Sequence, residues 1–196
     1  GITKSVSHTL SEMGINPPPL EELEQFIGPP LVDSFRGYYK FSESDSEKAL
    51  KIFREYYAKN GLYENIPFHN INTLLSSLKE KGIKLAVATS KPQVFSEKIL
   101  DHFLLSQYFD VVIGSSLDNT LYHKNKIISE TLKRFPEIPK DRAVMVGDRK
   151  FDIEGARENG IAAIGVNYGF AAPGEIEAAS PDYTANGVED LFKILL

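Results

Sequence analysis

A chain of 196 residues, 42% of them hydrophobic, is long enough to bury one sizeable core, or a core domain with a small appendage, without covalent staples. It has no cysteine, which excludes disulfides, thiolate metal sites and cysteine nucleophiles and suits a reducing compartment, the cytoplasm by default. A net charge of −5 leaves no surplus of lysine and arginine for a nucleic-acid backbone, and the apolar runs at 83–88 and 143–146 are too short to cross a bilayer, so neither nucleic acid nor membrane is expected as a partner.

No charged-then-apolar signal segment opens the chain, and as far as residue 69 the pattern is one of helices separated by breakers. Ile2, Val6, Leu10 and Met13 recur at helical spacing before Gly14, which predicts a helix over 2–13. Pro17, Pro18 and Pro19 force a loop. Short helices follow over 20–27 and 31–39, split by Gly28, Pro29 and Pro30, and then a longer amphipathic helix over 46–60, closed by Gly61. This part contains no convincing strand.

From residue 70 strand and helix alternate: helix 71–81, strand 83–88, helix 94–103, strand 111–113, helix 125–135, strand 143–146, helix 153–159, strand 162–166 and helix 188–195. Continuous apolar strands between amphipathic helices imply a parallel sheet covered on both faces. The expected organisation is a helical unit over 1–69 and an α/β unit over 70–196.

Ligands of an open parallel sheet bind beyond the carboxyl ends of its strands, so the residues just after each apolar run are the ones to read. The first run ends in Thr89, Ser90, Lys91 and Pro92, where a hydroxyl and backbone N–H groups could cradle a phosphate oxygen. The plainer reading is a turn and helix cap. The run at 143–146 ends in Gly147 and Asp148, with Asp152 where the next helix should begin. Two hard carboxylates suit Mg²⁺, which keeps several waters and needs only one or two protein ligands, although a turn residue and an N-cap would look the same. Lys124 precedes the helix over 125–135, against the dipole preference for acids at helix starts, so a reason beyond helix stability is plausible. Lys91 and Arg36 are further candidates for a cleft. His8, His69, His102 and His123 lack metal spacing, no Walker or Gly-x-Gly-x-x-Gly sequence occurs, and Tyr38, Tyr39, Tyr56, Tyr57 and Tyr63 read as packing residues.

In order and spacing, Thr89, Lys124 and the Asp148/Asp152 pair resemble motifs II, III and IV of the haloacid dehalogenase (HAD) superfamily. "FIGPPL", "GSSLDNTLYHKNKII", "GDRKFDIEGA" and "GVNYGF" look most like its phosphoglycolate phosphatase and 5'-nucleotidase-like branch, the first third resembles a C1-type helical cap, and "GVEDLFKIL" resembles the closing helix. The resemblance implies an α/β fold with a Rossmann-like HAD core. It implies a Mg²⁺-dependent phosphatase that cleaves a small phosphorylated metabolite, such as phosphoglycolate or a nucleoside monophosphate, through an aspartyl-phosphate. Thr89 and the Ser90 N–H would hold the phosphoryl group, and Lys124 would bridge it to the nucleophile. Asp148 would bind Mg²⁺ directly, and Asp152 would do so through water or would fix the loop. Lys124, Thr89 and Asp152 would thus be catalytic, and Lys91 and Arg36 would contact substrate. The cap would act as a lid, and a monomer or homodimer is expected.

Motif I of that family, Asp-x-Asp-Gly-Thr, has no counterpart in this sequence. Its strand normally lies between those ending at Thr89 and Asp148, so a nucleophilic aspartate is expected on about fifteen residues upstream of Gly1. Without that strand, unpaired backbone groups costing about 1 to 3 kcal/mol each would flank a gap, and the literal chain is expected to be inactive. The alternatives are a catalytically silent HAD-fold binding or regulatory protein, or a phosphomutase. A receiver-like domain fits the helical preface poorly, and a haloacid dehalogenase would not need the two acids.

Overall fold

The computed structural model describes residues 1–118 and 120–196, which form two compact units, Gly1–Ile66 and Pro67–Leu196. The division falls a few residues ahead of the change in sequence texture.

The first unit is helical: α1 (Ile2–Glu12), a 3₁₀ turn at Leu20–Phe26, α2 (Leu31–Tyr39), α3 (Glu43–Tyr56) and a π turn at Tyr57–Gly61. The helix expected from residue 46 begins earlier because the Ser42 hydroxyl accepts the Asp45 N–H at 3.1 Å, an N-cap with acids in the first turn. Val6, Leu10, Leu23, Phe26, Phe35 and Phe53 are buried in the core of this unit. Several of the tyrosines read as packing residues do pack on aromatic neighbours: Phe26 lies 5.3 Å from the Tyr38 ring, and Tyr57 stacks on Phe53 at 5.5 Å. Burial pushes the Tyr57 hydroxyl up to about 12.

In the second unit the alternation runs α4 (Ile71–Glu80), β1 (Ala86–Pro92), α5 (Gln93–His102), β2 (Val111–Ser115), α6 (Lys124–Leu132), β3 (Val144–Gly147), α7 (Lys150–Asn159), β4 (Ala162–Val166), α8 (Glu175–Ala179), β5 (Tyr183–Ala185) and α9 (Val188–Leu195). Every strand pair is parallel. The first strand starts at Ala86, not at Ile83 as its apolar run suggested. Gly82, at φ +74°, closes α4, and the Ile83 N–H is spent on the Leu78 carbonyl at 3.0 Å, a Schellman-type end. Asp110 then fixes the register by accepting the Leu85 N–H at 2.9 Å.

The strands do not form one sheet. Among the described residues β1 pairs only with β2, while β3, β4 and β5 form a separate sheet. The expectation that all the apolar strands are covered on both faces fails here. Residues of β1 are only half-buried along its length, and Val144 and Val146 of β3 are 38% and 36% exposed, whereas β4 is buried from Ala163 to Val166. The difference is one of neighbours: β4 has a strand on each side, and β1 and β3 each leave one edge unpaired. Among the described residues, apolar clusters hold the unit together. Leu74 and Leu78 of α4 meet Ile164, Val166, Val188 and Leu191 in one, and Ile153 and Ala156 of α7 meet Ala163 and Ile176 in the other. Helix α6, with Ile127 and Ile128 buried, packs on β1 and β2 and on α7, and α7 in turn packs on β3 and β4. No described helix is long and apolar enough to cross a membrane.

Candidate active site

At the carboxyl end of β1 the ladder slips: Thr89 pairs with Gly114 and Pro92 with Ser115, so Ser90 and Lys91 stand out of register. A bulge at a strand end re-aims backbone and side chains. The Thr89 hydroxyl accepts the Lys91 N–H at 3.1 Å, the local turn that the plainer reading anticipated. Burial lowers the Lys91 ammonium to about 8.

Lys124 is the first residue of α6. Its ammonium donates to the Ala88 carbonyl at 2.9 Å and lies 2.8 Å from Asp152 Oδ1. The two side chains are only 14% and 7% exposed. The second contact is electrostatic, since Oδ1 has no well-aligned hydrogen-bond donor. One cation thereby joins the tip of β1 to the helix that follows β3. That explains a lysine at a helix start: its charge is used on neighbouring elements and not on its own helix.

Asp152 is the third residue of α7, which starts at Lys150, earlier than the acid's expected place at the helix start. Its Oδ2 accepts the Arg149 N–H at 3.1 Å, as an N3 acid does in a capping box, so one carboxylate caps its own helix and pairs with Lys124. Gly147 permits the approach, because a Cβ there would lie 2.3 Å from the Asp152 Cγ. Asp148 Oδ2 accepts the Phe170 N–H at 2.9 Å, and its Oδ1 accepts no hydrogen bond among the described residues. Gly169 is equally constrained, its missing Cβ falling 2.2 Å from the Asp148 Cβ.

The loop over 167–174, whose contacts no sequence pattern announced, returns to this turn. Glu175 Oε1 accepts the Arg149 Nε–H at 2.8 Å and the Lys150 N–H at 2.9 Å, and its Oε2 accepts from Arg149 Nη2 at 3.3 Å and Ala172 N at 3.2 Å. Burial works to raise the Glu175 carboxyl, but the bonds from Arg149, Lys150 and Ala172 hold it below its ordinary value. Burial, then the charges of Asp148 and Glu189, raise the Tyr168 hydroxyl. No local pattern could have exposed these contacts; "GVNYGF" stood out only as a family likeness.

Lys124, Asp152 and the Ala88 carbonyl are thus in direct contact, and Asp148 sits on the same turn as Asp152. Ser90 is half-buried within the bulge. Arg36 lies in the helical unit, where Nη2 meets Glu43 Oε1 at 3.4 Å. The oxygen donors at Asp148 and Asp152 fit Mg²⁺ chemically, but no group of three or more such side chains among the described residues could hold a metal alone. Two carboxylates fit a cation that completes its shell with water and phosphate oxygens.

Residues 1–166 match the family model for haloacid dehalogenase-like hydrolases. The chain belongs to this family. A 5'-nucleotidase of Pseudomonas aeruginosa is 40% identical over 195 residues, 100% of this chain and 88% of that protein. The tyrosine-protein kinase PtkA of Mycobacterium tuberculosis is 34% identical over 180 residues, 92% of this chain but only 61% of the kinase. Among solved structures, a predicted phosphatase from Clostridium acetobutylicum superposes with a TM-score of 0.95 at 43% identity, covering 99% of this chain and 89% of that one. The HAD fold and a phosphatase-type hydrolase follow from these likenesses together.

Proposed function

We propose that this HAD hydrolase is a Mg²⁺-dependent phosphomonoesterase for a small phosphorylated metabolite, of the phosphoglycolate or nucleoside monophosphate type, working through an aspartyl-phosphate. The observation that carries the reading is the Lys124 stitch: a buried cation joins the tip of β1 to Asp152, beside Asp148, where two parallel strands end next to unpaired edges. The likeness to the 5'-nucleotidase supports a nucleoside monophosphate.

In this reading Thr89 Oγ1 and the Ser90 N–H hold the phosphoryl oxygens, with Lys91 as a further substrate contact. The Lys124 ammonium offsets negative charge as the phosphoryl group is transferred. Asp148 presents its open oxygen to the metal, and Asp152, both of whose oxygens are engaged, fixes Lys124 and the turn. When bound, Mg²⁺ would supply charge shielding and in-line alignment. The nucleophilic aspartate belongs to a parallel strand paired with β1 and β3, since no aspartate of this chain sits in an Asp-x-Asp motif.

The test assays the literal chain with Mg²⁺ against p-nitrophenyl phosphate, phosphoglycolate and nucleoside monophosphates, then repeats the assay with an Asp-x-Asp-Gly-Thr strand supplied ahead of Gly1. The first is expected to be inert and the second to turn over in an EDTA-sensitive manner. Turnover by the literal chain that depends on Asp148 would overturn the role given to the added strand. Activity that survives Asp148→Ala or ignores EDTA would overturn the metal assignment, and an inert completed protein would favour the silent binding protein.

A further inference from the structure

Two contacts tie the return loop to the acidic turn. The Phe170 N–H donates to Asp148 Oδ2 at 2.9 Å, and Glu175 receives four donors, two from the Arg149 guanidinium and one each from the Lys150 and Ala172 backbones. The Arg149–Glu175 pair is 12% and 11% exposed, so it is held away from most of the water that weakens surface ion pairs. The Arg149 backbone N–H meanwhile donates to Asp152 Oδ2 at 3.1 Å. One residue therefore contacts Glu175 through its side chain and Asp152 through its backbone. The loop also fits tightly, as the missing Cβ of Gly169 shows.

We propose that Glu175 is a positioning residue for the acidic turn: it locks the loop over 167–174 against residues 148–150 and so sets where Asp148 presents its open oxygen. The inference rests on the phosphatase reading, in which that oxygen meets the cation. Groups that orient a ligand carboxylate from outside the coordination sphere commonly change metal affinity by about 10- to 100-fold. The bidentate fork and the two backbone N–H bonds suit this work, because together they fix direction as well as distance.

The test is a pair of measurements on Glu175→Gln, which keeps the side-chain shape and removes the charge. The Phe170 amide resonance, whose N–H touches Asp148, is followed during a Mg²⁺ titration, and amide exchange is read at Arg149, Lys150 and Phe170 with Ile164 and Val166 of β4 as controls. The expected result is a Mg²⁺ midpoint raised about tenfold and exchange accelerated about tenfold at the turn, with β4 unchanged. A midpoint equal to that of the unaltered chain would overturn the proposal, as would acceleration shared equally by β4, the mark of a merely structural glutamate. A silent Phe170 resonance in the unaltered chain would instead show that the metal reading had failed, and the proposal would fall with it. If Glu175→Gln does not fold, Arg149→Lys replaces it. That change keeps the charge and both backbone bonds to Glu175 but breaks the fork, so the same shifts are expected at smaller amplitude, and none at all would overturn the proposal.

Discussion

Replacing Lys124 by methionine keeps most of the aliphatic stem and removes the ammonium. At 2.8 Å the attraction to Asp152 is ~6 kcal/mol gross for an effective dielectric of about 20, most of it offset by the desolvation of both groups. The substitution nevertheless leaves the other half of the pair behind: a carboxylate only 7% exposed that retains just one N–H donor, and an Ala88 carbonyl without its partner. Breaking a buried pair from one side costs about 3 to 5 kcal/mol. The expected loss is about 3 kcal/mol, or roughly 6 to 12 °C in Tm for a chain of this size. Urea unfolding followed by far-UV circular dichroism measures it, the chain having no tryptophan. Adding Asp152→Asn to Lys124→Met removes the stranded charge and should restore about half of the loss. A cost under about 1 kcal/mol, or a coupling between the two sites within about 0.5 kcal/mol of zero, would refute the claim that this pair joins β1 to α7.

Gly147→Ala would drive a methyl to 2.3 Å from the Asp152 Cγ, so α7 must shift; about 1 to 3 kcal/mol of overpacking is expected, with the Asp152 to Lys124 distance lengthened in a crystal structure of the variant. The Asp110 carboxyl is lowered from its ordinary 3.8 to about 2, first by the Leu85 N–H and then by Lys79 and Lys84. Its contribution is therefore present above about pH 4 and is lost as pH falls through about 2. Because Lys79 is only partly buried and Lys84 is exposed, Asp110→Asn should cost only about 1 kcal/mol at pH 7, and the stability difference from the unaltered chain should close between pH 4 and 2 in acid titrations of urea unfolding.

Elements with a clear apolar face or an unbroken apolar run were legible in the sequence: α2, α9 and β4 have the expected bounds because their own side chains supply the buried surface. The start of β1 was not, since an apolar Ile83 serves a helix end as readily as a strand. Helix α8 and strand β5 escaped notice because five and three residues carry too little period to see, and β5 exists through its pairing with β4. At the site, Lys124 was legible as an electrostatic misfit whose partners lie on other elements. Glu175 was not, because its work consists of bonds to residues 25 and 26 positions away as well as to its own loop, and nothing near it in sequence announces them.

The unpaired edges of β1 and β3 also bear on how this chain behaves in company. Each exposes a row of amides and carbonyls beside apolar side chains such as Val144 and Val146, which is a template for any extended segment, including one from another molecule of the same chain. At high concentration these edges favour self-association. Charged side chains at Val144 and Val146 would blunt that tendency from the β3 side.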